Sequence, residues 1–464
     1  MGLLTLSNFA TKMIGFFLVP LYTNILSTEE YGGYDLIHTT ISLLVPMLTF
    51  NILDAVLRFS LDQKADNEKS VANIGLRYVI QGTIFVTIFI IFNYYFHFFT
   101  IFDRYPVFFV LMFFSNAFTG YIVAYARGTD HIMGLSISSV ISSFITISLN
   151  ILFLAYFKLG LNGFFIANIV GPMFQSAYLV YVTKLWKNIS LQNSFDETRT
   201  KMVKYSAPLI ANSISWWVNS SSDRYIVTLF CGVTVNGVYA VASKIPSILN
   251  IAQTIFNQAW TLSAVKDYDA DDKSGFFSNT YNTYNCIMVL VCSIIICFDK
   301  VLALFLYKKD FYLGWKYAPF LVIAIVFGAM SGFLGGLLAA NKDSKEFAKS
   351  TSIGAILNVL LNFVFTPIIG ALGAAIATTI SYMVVWFLRL RITRKTISLR
   401  INYGRDILSY LLLIIQAVTL LFVSNNVVLY IVEFSVFVIL LLLYSNAIKL
   451  LITTLLSRGK GLAK

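Results

Sequence analysis

Charge is scarce in this chain: only 12% of its 464 residues are Asp, Glu, Lys or Arg, against roughly a quarter in ordinary soluble domains. The deficit runs along the whole length, which excludes a sizeable embedded soluble domain. Cysteine is scarce too. Cys231, Cys286, Cys292 and Cys297 form no CxxC pair, and the histidines His38, His97 and His131 lack ligand spacing. A disulfide framework and a zinc site are therefore set aside, and the thiols are expected to be packed or lipid-embedded. No GxxxxGK[ST] segment occurs, which argues against an ATP-driven pump built from this chain. The run from Gly2 to Leu26 is broken by Lys12 and is too long for a signal-peptide core, so it is expected to be a retained first helix. Neither a metal nor a catalytic cofactor is implied, and the chain does not read as an enzyme.

Apolar residues fill that space. They make up 58% of the chain, with a mean hydropathy of +0.77. Stretches long enough to span fall at 3–26, 33–59, 71–97, 106–126, 132–157 and 162–184. After a polar linker they resume at 202–231, 236–262, 276–298, 318–341, 346–366 and 370–388, and after a basic linker at 406–424 and 427–450. The pattern predicts an all-α integral membrane protein of about fourteen transmembrane helices, each needing roughly 20 residues to cross the hydrocarbon. Val301–Tyr307 is expected to lie on the surface if it does not join a span.

The net charge of +12 could suggest nucleic acid, but its distribution fits a membrane better. With an inside N-terminus, the cytoplasmic loops take most of the basic residues, including Arg389, Arg391, Arg394, Lys395, Arg400 and Arg405 in one linker. The outer loops keep Arg104, Lys158, Lys300, Lys308, Lys309 and Lys316. This bias places both termini in the cytoplasm.

A shift of 205 positions brings Thr23, Gly32 and Tyr34 onto Thr228, Gly237 and Tyr239. "GLNGFFIA" at Gly160 matches "GALGAAIA" at Gly370, and Asn150 corresponds to Asn362. The order and similar offsets predict two six-helix lobes, 1–190 and 200–390, followed by a helix pair within 405–455. Lobes with an even helix count share one orientation, so a pseudo-two-fold along the membrane normal relates them. Transporters that rock around a site between two halves follow that pattern.

Sorting the basic residues leaves Lys12, Arg58, Arg77, Arg224 and Lys244 within the spans, with the acids Asp35, Asp54 and Asp223. A charge at mid-helix costs about 2.5–3.5 kcal/mol or more, so each needs a partner or a wet cavity. Asp54 and Arg58 stand four apart and can neutralise one another. The seventh helix presents Asn212, Trp216, Asn219, Ser220 and Asp223 at helical steps, and the eighth presents Lys244, Ser247, Asn250, Thr254 and Asn257. These polar faces are expected to line a shared hydrated cavity whose cations suit an anionic group such as a phosphate. Two readings stay open for Arg58 and Arg77, which line the cavity or snorkel to lipid headgroups. Asp35, Asp54 and Asp223 serve as charge partners or couple an ion, Na+ or H+; the membrane potential is another energy source. Asn212, Asn250 and Trp216 are candidate sugar contacts; Trp217 and Trp260 either stack on sugars or pack, and Glu433 is expected to pack. Pro20, Pro46, Pro172, Pro208 and Pro246 fall inside spans, and Pro20 is the expected hinge of the first helix.

The segment "SNFATKMIGFFLVPLYTNILSTEEYGGYDLI", followed by "LDAVLRFSLD", resembles the N-terminus of bacterial polysaccharide-biosynthesis flippases. These include the O-antigen and capsule repeat-unit flippases of the multidrug/oligosaccharidyl-lipid/polysaccharide exporter superfamily. The marks are the P-L-Y-T-N end of the first helix, the S-x-E-E-Y-G-x-Y turn and the L-R-F-S close of the second. The resemblance implies a carrier for undecaprenyl-diphosphate-linked oligosaccharide in the bacterial cytoplasmic membrane, working by alternating access for surface-polysaccharide synthesis. It carries roles over to Lys12, Asp54, Arg58 and Arg224, with the pyrophosphate received by the cations and the lipid tail held by the last two helices. The implied partners are the lipid-linked oligosaccharide, membrane lipids and glycan polymerase or ligase machinery, without nucleic acid. The alternative is a sodium- or proton-coupled drug or metabolite antiporter of the same superfamily. A non-transporting scaffold for cell-wall assembly is the third class.

Overall fold

In the computed structural model, which describes residues 15–61, 65–98, 100–189, 196–266, 269–341 and 343–449, the apolar runs fold as helices and no strand occurs among the described residues. The first turn shows how local chemistry sets an element. Ser27 accepts a hydrogen bond from the Glu30 amide at 3.1 Å, and Glu30 Oε2 accepts from the Ser27 amide at 2.8 Å. This reciprocal cap satisfies two helix-end donors and starts a helix within the S-T-E-E segment.

In chain order the α-helices are α1 (Val19–Ile25), α2 (Thr28–Leu48), α3 (Ile52–Ser60), α4 (Ala65–Phe96), α5 (Thr100–Asp103), α6 (Pro106–Gly128) and α7 (Ile132–Asn150). They continue as α8 (Gly160–Thr183), α9 (Asp196–Cys231), α10 (Val233–Ala242), α11 (Lys244–Lys266), α12 (Phe276–Cys297) and α13 (Asp299–Leu306). The last are α14 (Ala318–Ala340), α15 (Ser344–Ile369), α16 (Ala371–Thr393), α17 (Tyr403–Phe422) and α18 (Asn426–Leu443). Among the described residues ten helices are long and apolar enough to cross a membrane, or eleven when α2 and α3 count as one bent span. The protein is an all-helical, multi-pass membrane protein. Of the other expected spans, Gly15–Ile25 is a short apolar helix, while α9 and α11 are long helices diluted by polar side chains.

The second expected span, 33–59, is broken. α2 and α3 meet at 59°, and Phe50 and Asn51 take left-handed φ values of 54° and 49°. Pro46, inside α2, offers no amide to the preceding turn, which weakens the helix just before this break. Asn51 Nδ2 then donates to Asp54 Oδ2 at 2.7 Å across the first turn of α3. Pro20 sits in the first turn of α1, a position that proline tolerates. The span expected at 132–157 ends as a π-helical turn, Ile151–Tyr156.

The chain divides into two compact units, Met1–Tyr225 with Val233–Gly237, and Ile226–Gly232 with Val238–Lys464. The division falls inside the seventh expected span. In the first unit α6 is the central helix, burying Phe109, Met112, Phe113 and Tyr121. Thr119 Oγ1 donates to the Pro172 carbonyl of α8 at 3.2 Å, and Ser115 Oγ to that of Ile169 at 3.1 Å. One end of this unit is closed by Glu68, which accepts from Tyr125 Oη at 2.7 Å and Asn188 Nδ2 at 3.0 Å.

In the second unit α14 is buried along most of its length. Trp260 of α11 stacks on Phe333 at 4.0 Å and donates its indole N–H to the Phe333 carbonyl at 2.9 Å. This tryptophan therefore packs. Arg389 departs from expectation: it is not in a basic loop but inside α16, 4% exposed. It donates to the Ser331 carbonyl at 2.8 Å, Ser350 Oγ at 3.0 Å and Thr351 Oγ1 at 2.8 Å, with its guanidinium 4.2 Å from the Phe347 ring centre. Cys286, Cys292 and Cys297 are buried free thiols, as expected of packed cysteines. The 298–318 region holds α13, which exposes Val301, Leu304 and Phe305, followed by a 3-10 turn at Lys309–Lys316.

Candidate functional site

The sequence supplies Gly32 one turn into α2 and Gly237 in α10, and the structure places their backbones in contact. A Cβ on Gly32 would lie 2.1 Å from the Val233 carbonyl oxygen, and one on Gly237 would lie 1.9 Å from that of Thr28. Only glycine fits at either position. The contact is reciprocal under the 205-residue shift, which carries Thr28 to Val233 and Gly32 to Gly237. Around Gly32 the flanking tyrosines lock α2 in place: Tyr31 stacks on Tyr22 at 4.9 Å, and Tyr34 meets Phe164 edge-on at 4.6 Å.

One turn further along α2, Asp35 faces α9. Arg224 Nε lies 3.0 Å from Asp35 Oδ2, with the two side chains 17% and 16% exposed. Asn236 Nδ2 donates to the same carboxylate oxygen at 3.4 Å and to the Gly32 carbonyl at 3.3 Å. The next turns add neutral bonds. Tyr225 Oη pairs with Thr40 Oγ1. Trp217 Nε1 donates to the Thr39 carbonyl at 2.9 Å and to Ser42 Oγ at 3.2 Å. The result is a polar seam along α2 and α9, held by charge-assisted contacts to the Asp35 carboxylate and by several neutral ones.

Of the expected site residues, the structure joins Asp35 and Arg224. Asp223 is buried beside them, its Oδ1 accepting from the Arg224 amide at 3.1 Å. Asn212 and Trp216 lie on the exposed face of α9. Asp54 and Arg58 are exposed on α3, where Asp54 takes its hydrogen bond from Asn51. Arg77 is half-buried on α4. In the second unit Lys244 is half-buried and Asn250 exposed on α11, and Lys244 makes no ion pair among the described residues. Lys12 lies outside the described residues. Sequence reasoning passed over Asn236 and Tyr225, and it weighed Trp217 only as a ring. Asn236 adjoins the Gly237 that the repeat had singled out, so the repeat carried a signal for it. Tyr225 carried none.

Comparison with known proteins adds to this geometry. A probable low-salt glycan biosynthesis flippase, Agl15 of Haloferax volcanii, is 23% identical over 46% of this chain and 45% of its own length. Among solved structures, the lipid II flippase MurJ in an inward closed conformation superposes with a TM-score of 0.71, covering 97% of this chain and all of that one at 13% identity. An inward-facing multidrug resistance MATE family transporter of the MOP superfamily superposes at 0.64, over 89% of this chain and 96% of its own, again at 13% identity. At such identities the likeness establishes a fold shared with both. Residues 1–265, more than half of the chain and including the whole seam, match the model of a family described as polysaccharide biosynthesis protein. The chain belongs to the polysaccharide biosynthesis protein family, whose members are membrane transporters and flippases rather than enzymes.

Proposed function

We propose that this protein is a flippase that carries a lipid-linked glycan across a cell membrane by alternating access. The observation that carries the reading is the family match over residues 1–265; the Haloferax relative and the MurJ-like fold support it. The cargo is a glycan on a polyprenyl phosphate or diphosphate, with undecaprenyl diphosphate as the specific candidate. Lys12, Arg58, Arg77, Arg224 and Lys244 are the proposed cations for its phosphate groups, through forked hydrogen bonds from arginine and point charge from lysine. Asn212, Asn250 and Trp216 are the proposed sugar contacts, and their exposure on α9 and α11 supports that reading.

Fourteen transmembrane helices in two like-oriented repeats, with both termini in the cytoplasm, complete the proposal. α9 is 36 residues long, so at 1.5 Å per residue it exceeds a 30 Å hydrocarbon core despite its polar side chains. The reciprocal glycine contact supports the repeat. Asp35 and Arg224 then act as a latch. Their pair holds α2 to α9 in this conformation, and an arriving phosphate competes with Asp35 for the guanidinium. Sodium, protons or the membrane potential supply the drive.

The test is reconstitution in vesicles with a fluorescent polyprenyl-diphosphate oligosaccharide and an impermeant quencher. Protein-dependent exposure of the label is expected under at least one imposed ion gradient or voltage. Exposure identical to that of empty vesicles under all of them would overturn the proposal.

A further inference from the structure

The second unit buries two carboxyl groups that the transport reading leaves unused. Asp299 opens α13 and Glu433 lies midway along α18; both are 0% exposed. Gln416 of α17, also fully buried, donates Nε2 to the Glu433 main-chain carbonyl at 3.2 Å, which places it beside that residue. Both oxygens of Asp299, both of Glu433 and the side-chain oxygen of Gln416 are buried and accept no hydrogen bond among the described residues. Neither acid makes an ion pair among those residues. The adjoining cation, Lys300, instead sets its ammonium 4.6 Å from the Trp315 ring centre.

These buried oxygens are all acceptors, and the amide donor beside them, Gln416 Nε2, is directed to the Glu433 main-chain carbonyl. An ionised carboxylate in such a place costs several kcal/mol. Protonation removes the charge and turns an acceptor-only group into one that also donates. The surroundings are oily: Cys297, Phe298, Val427, Tyr430, Ile431 and Phe434 line a 460 Å³ cavity, and they flank both acids in sequence. The titratable groups that face the two acids are Cys297 from α12, Lys300 from α13 and Tyr312 from the 3-10 turn, with Tyr430 of α18 beside Tyr312. The α17 side contributes the neutral Gln416.

We propose that Asp299 and Glu433, with Gln416 as a hydrogen-bond acceptor, form a proton-binding site that seats the C-terminal helix pair α17–α18 on α12 and α13. Binding adds one proton to a carboxylate oxygen and neutralises it; the new O–H donates to Gln416 Oε1 or to the other carboxyl group. The site does not depend on the cargo, and it stands even if the flippase reading fails.

The experiment is pH-difference infrared spectroscopy on the full-length protein in lipid nanodiscs. A protonated-carboxyl band is expected at neutral pH and should disappear on alkalinisation. Glu433→Gln and Asp299→Asn should each remove part of it, and the double variant all of it. Absence of the band from the wild-type protein at neutral pH overturns the proposal without any variant. A full wild-type band in both single variants does so too. Loss of the band on adding sodium chloride but not choline chloride at fixed pH would make this a sodium site instead.

Discussion

Around Arg224 the first unit answers a cation with a carboxylate, while around Arg389 the second answers one with neutral oxygens and an aromatic face. Arg224 keeps 17% of its side chain exposed and pairs with a partner on another helix. Arg389 is 4% exposed and donates to three fixed oxygens on α14 and α15. The first arrangement can exchange its anion, because a phosphate offers Arg224 what Asp35 does. The second cannot, since its partners are main chain and short hydroxyls in a packed interior. Two arginines of one chain thus separate into a latch and a staple, and the difference lies in their partners. Asp299 and Glu433 extend the contrast, being buried acids with no cation at ion-pair distance among the described residues.

The contrast breaks first at Arg389. Arg389→Ala removes three buried hydrogen bonds from a cation and its contact with the Phe347 ring, and should destabilise the protein by about 3 kcal/mol or more, read as a large drop in melting temperature in detergent. Stability equal to wild type would show that the staple is dispensable. Next come the glycines. Gly32→Ala and Gly237→Ala should each cost about 1–3 kcal/mol by overpacking, with closely similar losses because their contacts mirror one another. A strong effect from one and none from the other would break the reciprocity.

For the latch, Arg224→Ala should abolish glycan export at near-normal expression, and Arg224→Lys should retain a part of it. The swap Asp35→Arg with Arg224→Asp discriminates between roles. Recovered export assigns the residue to the latch alone; continued loss shows that a cation is needed at position 224 itself. A smaller effect follows from pH. Burial pushes the Asp299 carboxyl well above the usual carboxylate range; Lys300 opposes this and Glu433 adds to it. A raised native pKa means that the folded state keeps a proton the unfolded state releases. Its contribution is therefore full at acid pH and declines as pH climbs above the ordinary carboxylate range. Asp299→Asn should flatten that slope in a series of melting curves. Least of all, Lys201→Ala, which breaks the exposed Glu197–Lys201 pair, should leave the melting temperature unchanged.

Much of the architecture was legible in the sequence, because membrane helices must be long, apolar and internally hydrogen-bonded. Helix ends were legible where caps write them, as at Ser27 and Glu30. The bend after Pro46 was half legible: the proline marked a weak turn, but the left-handed pair Phe50–Asn51 had no signature in the pattern. Arg389 was misplaced because basic residues near a span end usually mark a loop. The neutral cradle that buries it comes from residues 38 to 58 positions away. For the same reason the sequence did not single out Asp35 and Arg224 as partners, since their contact spans 189 positions.

By itself, then, the sequence determined that this chain is built of membrane-spanning helices and that it carries a self-similarity at a shift of 205 residues. Each of these follows from local composition or self-similarity, which the chain carries at every window. Only the tertiary structure decided which charge meets which: Asp35 with Arg224, Arg389 with neutral oxygens, and Asp299 and Glu433 with no donor among the described residues. Ion pairing and desolvation depend on distances of a few ångströms between residues far apart in sequence, and helical periodicity does not encode those distances.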